Sequence, residues 1–295
     1  MSTILSNCSQ LQILSLLENE FDGPIHSEIG RLSNFQILEL GTNHLSGIIP
    51  QEIGNLVNLA ELGMEDNQIT GSVPISIFNI SSVQILSLWQ NNLSGFLPRE
   101  IRNLTKTQHL QISGNKLIGE IPKEISNLVE LEELDLADNS LSGSLDTEII
   151  SILGVRIIDL SSNNLSGSLP PNLGSIVPNI ERLFLGNLTN FVGTIPHSIS
   201  YCPKLTILDL SHNKLTRSIP NSLLYLTHLQ YLNLEGNNLS SDSPLSLLTS
   251  LTNCRNLTIL SLSFNPLNSM LPASTGYKHK EVLERRCLLM NQKVY

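Results

Sequence analysis

A repeat of about 24 residues runs through this chain of 295 residues and restricts its fold more than any other feature. Eleven matching segments, numbered here as coils one to eleven, begin at Leu11, Phe35, Leu59, Val83, Thr107, Leu131, Val155, Ile180, Leu205, Leu229 and Leu257. They share the pattern L-x-x-L-x-L-x-x-N-x-L-x-G-x-I-P-x-x-I-x-x-L. A period of this size indicates a solenoid, in which each coil stacks on its neighbours. We interpret residues 1–10 as the tail of an incomplete coil, 11–275 as the solenoid and 276–295 as a basic tail outside the repeat.

Each part of the pattern has a physical role. The L-x-L part predicts a short strand, because inward Leu38 and Leu40 alternate with outward Glu39. Successive coils then place these strands side by side in one parallel sheet. The Asn after each strand can satisfy both donors and acceptors of a buried turn. The predicted structural ladder comprises Asn19, Asn43, Asn67, Asn91, Asn115, Asn139, Asn163, Asn213, Asn237 and Asn265. The later I-P fixes extended backbone, and the final I-x-x-L closes the core.

Coil eight departs from this spacing, since it has one extra residue between its strand and Gly193. Its turn position therefore falls on Leu188 or Thr189 instead of Asn. We expect the ladder to break there, with Asn187 or Asn190 substituting imperfectly.

The end coils are expected to be less stable than the middle ones, because a neighbour shields them on one side only. Their inner leucines are Leu11, Leu14 and Leu16 in coil one, and Leu257, Leu260 and Leu262 in coil eleven.

Composition excludes several classes of protein. A hydrophobic content of 40% argues against disorder, while the net charge of −9 makes nucleic acid an improbable partner. Polar residues interrupt every apolar run well short of a membrane span, so we expect no transmembrane segment in this chain. Residues 1–8 lack a basic start and a continuous apolar stretch, so we also expect no signal peptide.

The cysteines and histidines favour structural roles over catalysis. Cys8, Cys202 and Cys254 occupy the position three residues before the next coil, which predicts buried core thiols. Asp209, Ser211 and His212 could be taken for a hydrolytic trio, but neighbours along one strand do not easily converge as that chemistry requires. We expect no catalytic residue, no metal site and no cofactor.

The L-x-G-x-I-P part of the pattern resembles the plant-type leucine-rich repeat, over about residues 1–275. The run Leu248–Cys254 resembles the immune-receptor subgroup of leucine-rich repeat receptor-like kinases. The resemblance implies an α/β solenoid: a right-handed superhelix with a concave parallel β-sheet and about eleven plant-type repeats. Kinase motifs are absent from this sequence.

The resemblance also implies a function, namely recognition of a peptide or protein by a receptor ectodomain, with a co-receptor as a candidate second partner. The location it implies is the extracellular face of the plasma membrane or the cell wall. Two alternatives stay open: a secreted inhibitor like the polygalacturonase-inhibiting proteins, and a non-functional gene fragment. The basic tail could be an amphipathic end-cap, but we favour a truncated or mis-joined gene product.

The outward strand residues are the ones that the repeat does not dictate, so they are the candidate binding residues between coils three and ten. The predicted set is Trp89, His109, Glu133, Asp135, Asp159, Arg182, Phe184, Asp209, His212 and Tyr231. Further outward acids are Glu61, Glu65, Asp66, Asp138 and Glu235. Exposed aromatics on a rigid surface are typical of binding hot spots, and Trp89 is expected to be exposed. The acids predict a ligand of net positive charge.

Asn-x-Ser/Thr sequons are the candidate glycosylation sites if the protein is secreted. They occur at Asn7, Asn79, Asn92, Asn103, Asn164, Asn187, Asn238 and Asn256. Roughly five would arise from this Asn- and Ser-rich composition by chance.

Overall fold

The computed structural model describes residue 8 and residues 10–145, 147–152, 154–240 and 254–267. Two compact units are present. Unit 1 holds the described residues up to Gly167 together with Leu188–Asn190, and unit 2 holds Ser168–Asn187 and the described residues from Phe191 onward. The predictions for Asn7, for residues 248–253 of the subgroup motif and for the tail at 276–295 lie outside the described residues.

The L-x-L segment of every coil forms a three-residue strand. In unit 1 these strands are Ile13–Ser15, Ile37–Glu39, Glu61–Gly63, Ile85–Ser87, His109–Gln111, Glu133–Asp135 and Ile157–Asp159. In unit 2 they are Arg182–Phe184, Ile207–Asp209, Tyr231–Asn233 and Ile259–Ser261. Within each unit neighbouring strands pair in parallel, and each residue is aligned with the residue at the same repeat position of the next coil. The central residue is buried in all but the end strands, so the flanking residues face outward.

A second strand follows in each of the first ten coils. In unit 1 these are Asp22–Pro24, His44–Ile48, Gln68–Gly71, Asn92–Gly95, Lys116–Glu120, Ser140–Ser144 and Asn163–Gly167; Lys214–Ser218 and Asn238–Ser240 lie in unit 2, and Leu188–Gly193 has residues in both units. These strands also pair in parallel. Their glycines adopt positive φ, as at Gly47 (74°), which is the reason the pattern favours Gly there, although Arg217 takes the same conformation (68°) in coil nine.

Short helices complete the coils. The 3-10 helices are Ser27–Arg31, Gln51–Asn55, Ile75–Asn79, Arg99–Asn103 and Lys123–Asn127 in unit 1, and His197–Tyr201 and Asn221–Tyr225 in unit 2. The α-helices are Thr147–Ile150 in unit 1 and Leu173–Ile176 in unit 2. The proline of the I-P pair precedes most 3-10 helices with extended backbone, as at Pro50, and the following Ile53 is buried.

The ladder asparagines bind backbone groups of two coils at once. Asn67 Nδ2 donates to the carbonyls of Met64 (3.3 Å) and Glu65 (3.0 Å) in its own coil and of Leu40 (3.0 Å) in the preceding coil. Its Oδ1 accepts the N–H of Leu45 at 2.9 Å. The same four contacts recur at Asn43, Asn91, Asn115, Asn139, Asn163, Asn237 and Asn265. One amide therefore joins neighbouring coils at a buried or partly buried turn.

Coil eight has leucine at the ladder position. In the other coils the residue before the ladder Asn adopts positive φ, as Thr42 does at 48°. Asn187 holds this conformation in coil eight, with φ of 54°, so the ladder position is Leu188 and its side chain is buried. Asn187 and Asn190 are exposed.

The inner leucines of the end coils are less buried than those of the middle. Leu38 and Leu40 of coil two are 0% exposed, whereas the corresponding Leu14 and Leu16 of coil one are only partly buried. Leu260 of coil eleven is likewise partly exposed. The lower stability of these coils stays a prediction.

The three cysteines do not share one environment. Cys202 and Cys254 are buried, and burial raises the pKa of the Cys202 thiol to about 11. Cys8 is exposed, so its predicted burial is wrong. The reason is that, within the described residues, a coil lies on only one side of Cys8.

Candidate ligand-binding surface

The strand face of unit 1 is a grid of outward side chains in three rows. The first row is Ile13, Ile37, Glu61, Ile85, His109, Glu133 and Ile157; the second is Ser15, Glu39, Gly63, Ser87, Gln111, Asp135 and Asp159. The third row lies two residues further on and includes Gly41, Glu65, Trp89, Ser113, Ala137 and Ser161. None of these positions holds a lysine or an arginine.

The first acid group on this face consists of Glu133, Asp135, Asp138 and Asp159, and is called the coil-six acid group. Asp135 and Asp159 lie side by side on paired strands. Burial, together with the carboxylates of Asp135 and Asp138, raises the pKa of Asp159 to about 7, although hydrogen bonds from Ser161 oppose this shift. The pKa of Asp135 is also raised by burial, against a hydrogen bond from Ser113 Oγ at 2.5 Å. Carboxyl groups are therefore concentrated here beside hydroxyl and amide donors, with His109 Nδ1 3.0 Å from Glu133 Oε2 and no lysine or arginine of the grid.

The second acid group consists of Glu39, Glu61, Glu65 and Asp66, and is called the coil-three acid group. Burial raises the pKa of Glu61, and the charges of Glu39 and Glu65 add to this shift. Asp66 is exposed and follows Glu65 directly. The predicted ligand-binding set omitted this group, although all four of its members were recognised as outward residues. Adding the charges of the outward residues on two neighbouring coils would have identified this group from the sequence.

Glu65 lies flat over two glycines. A Cβ placed on Gly41 would lie 2.3 Å from Glu65 Oε1, and one on Gly63 would lie 3.1 Å from Oε2. A side chain at either position would require the Glu65 carboxylate to move. The Oε2 atom is buried and has no hydrogen-bond partner in the described part of the chain. This unpaired oxygen costs stability.

Trp89 and His109 lie between the two acid groups. Trp89 is partly buried, so the expectation that it is exposed is wrong; the residue follows the strand Ile85–Ser87 at a turn with a coil on each side. His109 Nδ1 is 3.0 Å from Glu133 Oε2. The two residues belong to different rows, since His109 is in register with Ile85 and Trp89 follows that strand.

The strand face of unit 2 has a different chemistry. Asp209 Oδ2 accepts hydrogen bonds from the Tyr231 hydroxyl (3.3 Å) and from Asn233 Nδ2 (3.1 Å), while its Oδ1 accepts the N–H of Ser211 (2.9 Å). Burial and the charge of Asp209 raise the pKa of Tyr231 to about 12. Phe184 is in register with Asp209, and Arg182 on the same strand is exposed. Asp209 is thus held by three donors of its own unit.

Asp209, Ser211 and His212, considered above as a hydrolytic trio, make structural contacts instead. Ser211 is buried and contacts Asp209 through its backbone N–H. The His212 ring is exposed, with Nε2 3.9 Å from Glu235 Oε1. Among the described residues no group of three His, Cys, Asp or Glu side chains could hold a metal ion.

Seven of the sequon asparagines are described. Asn79, Asn92, Asn164, Asn187, Asn238 and Asn256 are exposed, and Asn103 is partly buried. Asn103 Nδ2 donates to Asn79 Oδ1 at 3.4 Å, so these two share one surface of unit 1. Their glycosylation stays a prediction.

Models of known protein families match most of the chain. It matches the leucine-rich repeat region over residues 1–162, and the leucine-rich repeat over residues 178–239, 154–176, 228–251 and 256–277. The chain therefore belongs to the leucine-rich repeat family, and its fold is a leucine-rich repeat solenoid with a parallel β-sheet. This confirms the fold class and the family resemblance. Curated protein sequences gave no match.

Solved structures of plant proteins are similar to this chain. A TDR receptor is 30% identical with a TM-score of 0.83, over 92% of this chain and 50% of the receptor. The ectodomain of the Arabidopsis receptor kinase HAESA, in complex with an N-terminally extended IDA peptide hormone ligand, is 28% identical with a TM-score of 0.74, over 92% and 49%. A plant ice-binding protein is 25% identical with a TM-score of 0.74, over 88% and 84%. The chain spans about half the length of the two receptors. Among the described residues no helix is long and apolar enough to cross a membrane.

Proposed function

We propose that this chain is a non-catalytic recognition module that binds a peptide or protein of net positive charge on the strand face of unit 1. The observation that carries the proposal is the pair of acid groups on that face, at strand positions where no lysine or arginine occurs. Packing fixes the inward residues and the turn fixes the ladder Asn, so the outward grid is free to determine specificity. Complementary charge favours a basic partner and speeds its association.

The similarity to plant receptors supports this choice of ligand class. HAESA is a receptor kinase whose ectodomain has been solved with a peptide hormone bound. We infer a similar role here, as part of a receptor-like ectodomain at the outer face of the plasma membrane or in the cell wall, with a co-receptor as a possible second partner.

A binding screen against secreted peptides tests the proposal. The parent should prefer basic peptides, and the affinity should fall in Trp89→Ala and Asp135→Lys because both residues lie on the grid. Glu120→Lys is the matched control, since it changes an exposed acid on a second strand. The proposal fails if both grid variants bind as tightly as the parent while Glu120→Lys weakens binding.

A further inference from the structure

The two acid groups are separated by a fixed distance. Glu61 of coil three and Glu133 of coil six occupy the same row, three strand pairings apart. At about 4.8 Å per strand, this places them roughly 14 Å apart. The intervening grid positions hold Ile85, Ser87, Trp89, His109, Gln111 and Ser113, without a carboxylate.

Neither acid group has a lysine or an arginine of the grid beside it, although His109 Nδ1 lies 3.0 Å from Glu133 Oε2 in the coil-six group. In the coil-three group, Glu65 Oε2 is buried without a hydrogen-bond partner among the described residues, and Glu61 is repelled by Glu39 and Glu65. In the coil-six group, Asp135 and Asp159 adjoin on paired strands. A basic side chain arriving at either group would relieve repulsion between carboxylates as well as form a charge pair.

We propose that this face binds an extended segment that carries two basic side chains four residues apart, one at each acid group. This inference rests on the proposed function and specifies its ligand. An extended chain advances about 3.3 Å per residue and alternates its side chains, so positions i and i+4 lie on one side about 13 Å apart. Positions i and i+4 of an α-helix are only about 6 Å apart, so a helix with this spacing could not reach both groups. The uncharged residues of the segment would cross Trp89.

The test uses synthetic 11-residue peptides, acetylated and amidated, with two lysines around a central Phe in a Ser/Gly background. The lysines are separated by one, three, five or seven residues, so charge and composition stay equal. Trp89 is the only tryptophan of the chain, and its fluorescence reports binding at this site without a label. At low ionic strength the peptide with three intervening residues should bind about fivefold more tightly than those with one or seven, corresponding to about 1 kcal/mol.

The two acid groups are tested by matched variants. Asp66 and Asp138 are exposed, occupy the same position in coils three and six, and have φ of 50° and 49°, a conformation that Asn tolerates. Asp66→Asn and Asp138→Asn should each weaken binding of the best peptide about threefold and reduce its preference over the other spacings. Glu18→Gln changes the corresponding exposed acid of coil one, with φ of 54°, and should leave the affinity unchanged.

The outcomes separate this inference from the proposed function. The two-lysine spacing is overturned if all spacings bind with equal affinity, or if Asp66→Asn and Glu18→Gln have the same effect on affinity. Either result leaves the proposal of a basic ligand in place. Failure of the whole series to bind also overturns the spacing, and the secreted-peptide screen then decides the proposed function alone.

Discussion

Carboxylates occupy outward strand positions in both units, yet their surroundings differ. In unit 2, Asp209 accepts hydrogen bonds from Ser211, Tyr231 and Asn233. In unit 1, Asp159 has Asp135 as its neighbour on the next strand, and its pKa is raised to about 7. The same position in the repeat thus holds one carboxylate that accepts hydrogen bonds from the neighbouring coil and another that faces a carboxylate of the neighbouring coil.

The difference arises from the residue one coil away. A position on a strand is flanked by residues about 24 positions earlier and later in the chain, so the neighbour decides whether a charge is compensated. Tyr231 and Asn233 supply donors to Asp209, whereas Asp135 supplies like charge to Asp159. We therefore expect ligand contacts where the residues of a neighbouring coil leave a charge uncompensated.

The largest expected effect is on the stability of unit 2. Asp209→Asn replaces one acceptor oxygen with a donor amide that cannot pair with both Tyr231 and Asn233, so we expect a loss of about 3 kcal/mol in the free energy of unfolding. Glu61→Gln removes repulsion on the unit 1 face and should leave stability unchanged or higher. Urea unfolding of both variants measures this, and equal losses would remove the distinction between the two faces.

The second expectation concerns pH. Because the pKa of Asp159 is higher in the folded chain than in the unfolded one, the folded form binds the proton more tightly, and stability should fall as pH rises from about 4 through 7. The expected loss is on the order of 2 kcal/mol after allowance for partial exposure. Asp159→Asn should flatten this part of the profile in urea unfolding at pH 4.5, 6 and 8. An unchanged profile in the variant would show that Asp159 is not the group responsible.

A smaller effect is expected from the phenol of Tyr231. Tyr231→Phe removes one donor to Asp209 but keeps the ring and the two other hydrogen bonds, so the loss should be about 1 kcal/mol. Thermal unfolding can resolve this difference. If Tyr231→Phe is as destabilising as Asp209→Asn, the ring packs differently and the hydrogen-bond account of unit 2 is incorrect.

Much of the fold follows from the sequence because every coil repeats the same spacing of inward leucines and turn asparagine. The spacing of Leu38, Leu40 and Asn43 determines strand, core and turn together, and the extra residue of coil eight determines that Leu188 takes the ladder position. The binding surface was less predictable, since it depends on pairs of residues in different coils. Trp89 was expected to be exposed for the same reason: the flanking coils that partly bury it are distant in sequence.

The most direct test of the central claim, that carboxylates of unit 1 contact basic side chains of the ligand, is an exchange of charge. Glu61→Lys should weaken binding of the best two-lysine peptide at least tenfold, because it places like charges at one acid group. A peptide in which one of the two lysines is replaced by glutamate should recover affinity for Glu61→Lys while binding the parent poorly. The account is contradicted if the two-lysine peptide binds parent and variant equally, or if neither glutamate peptide discriminates between them.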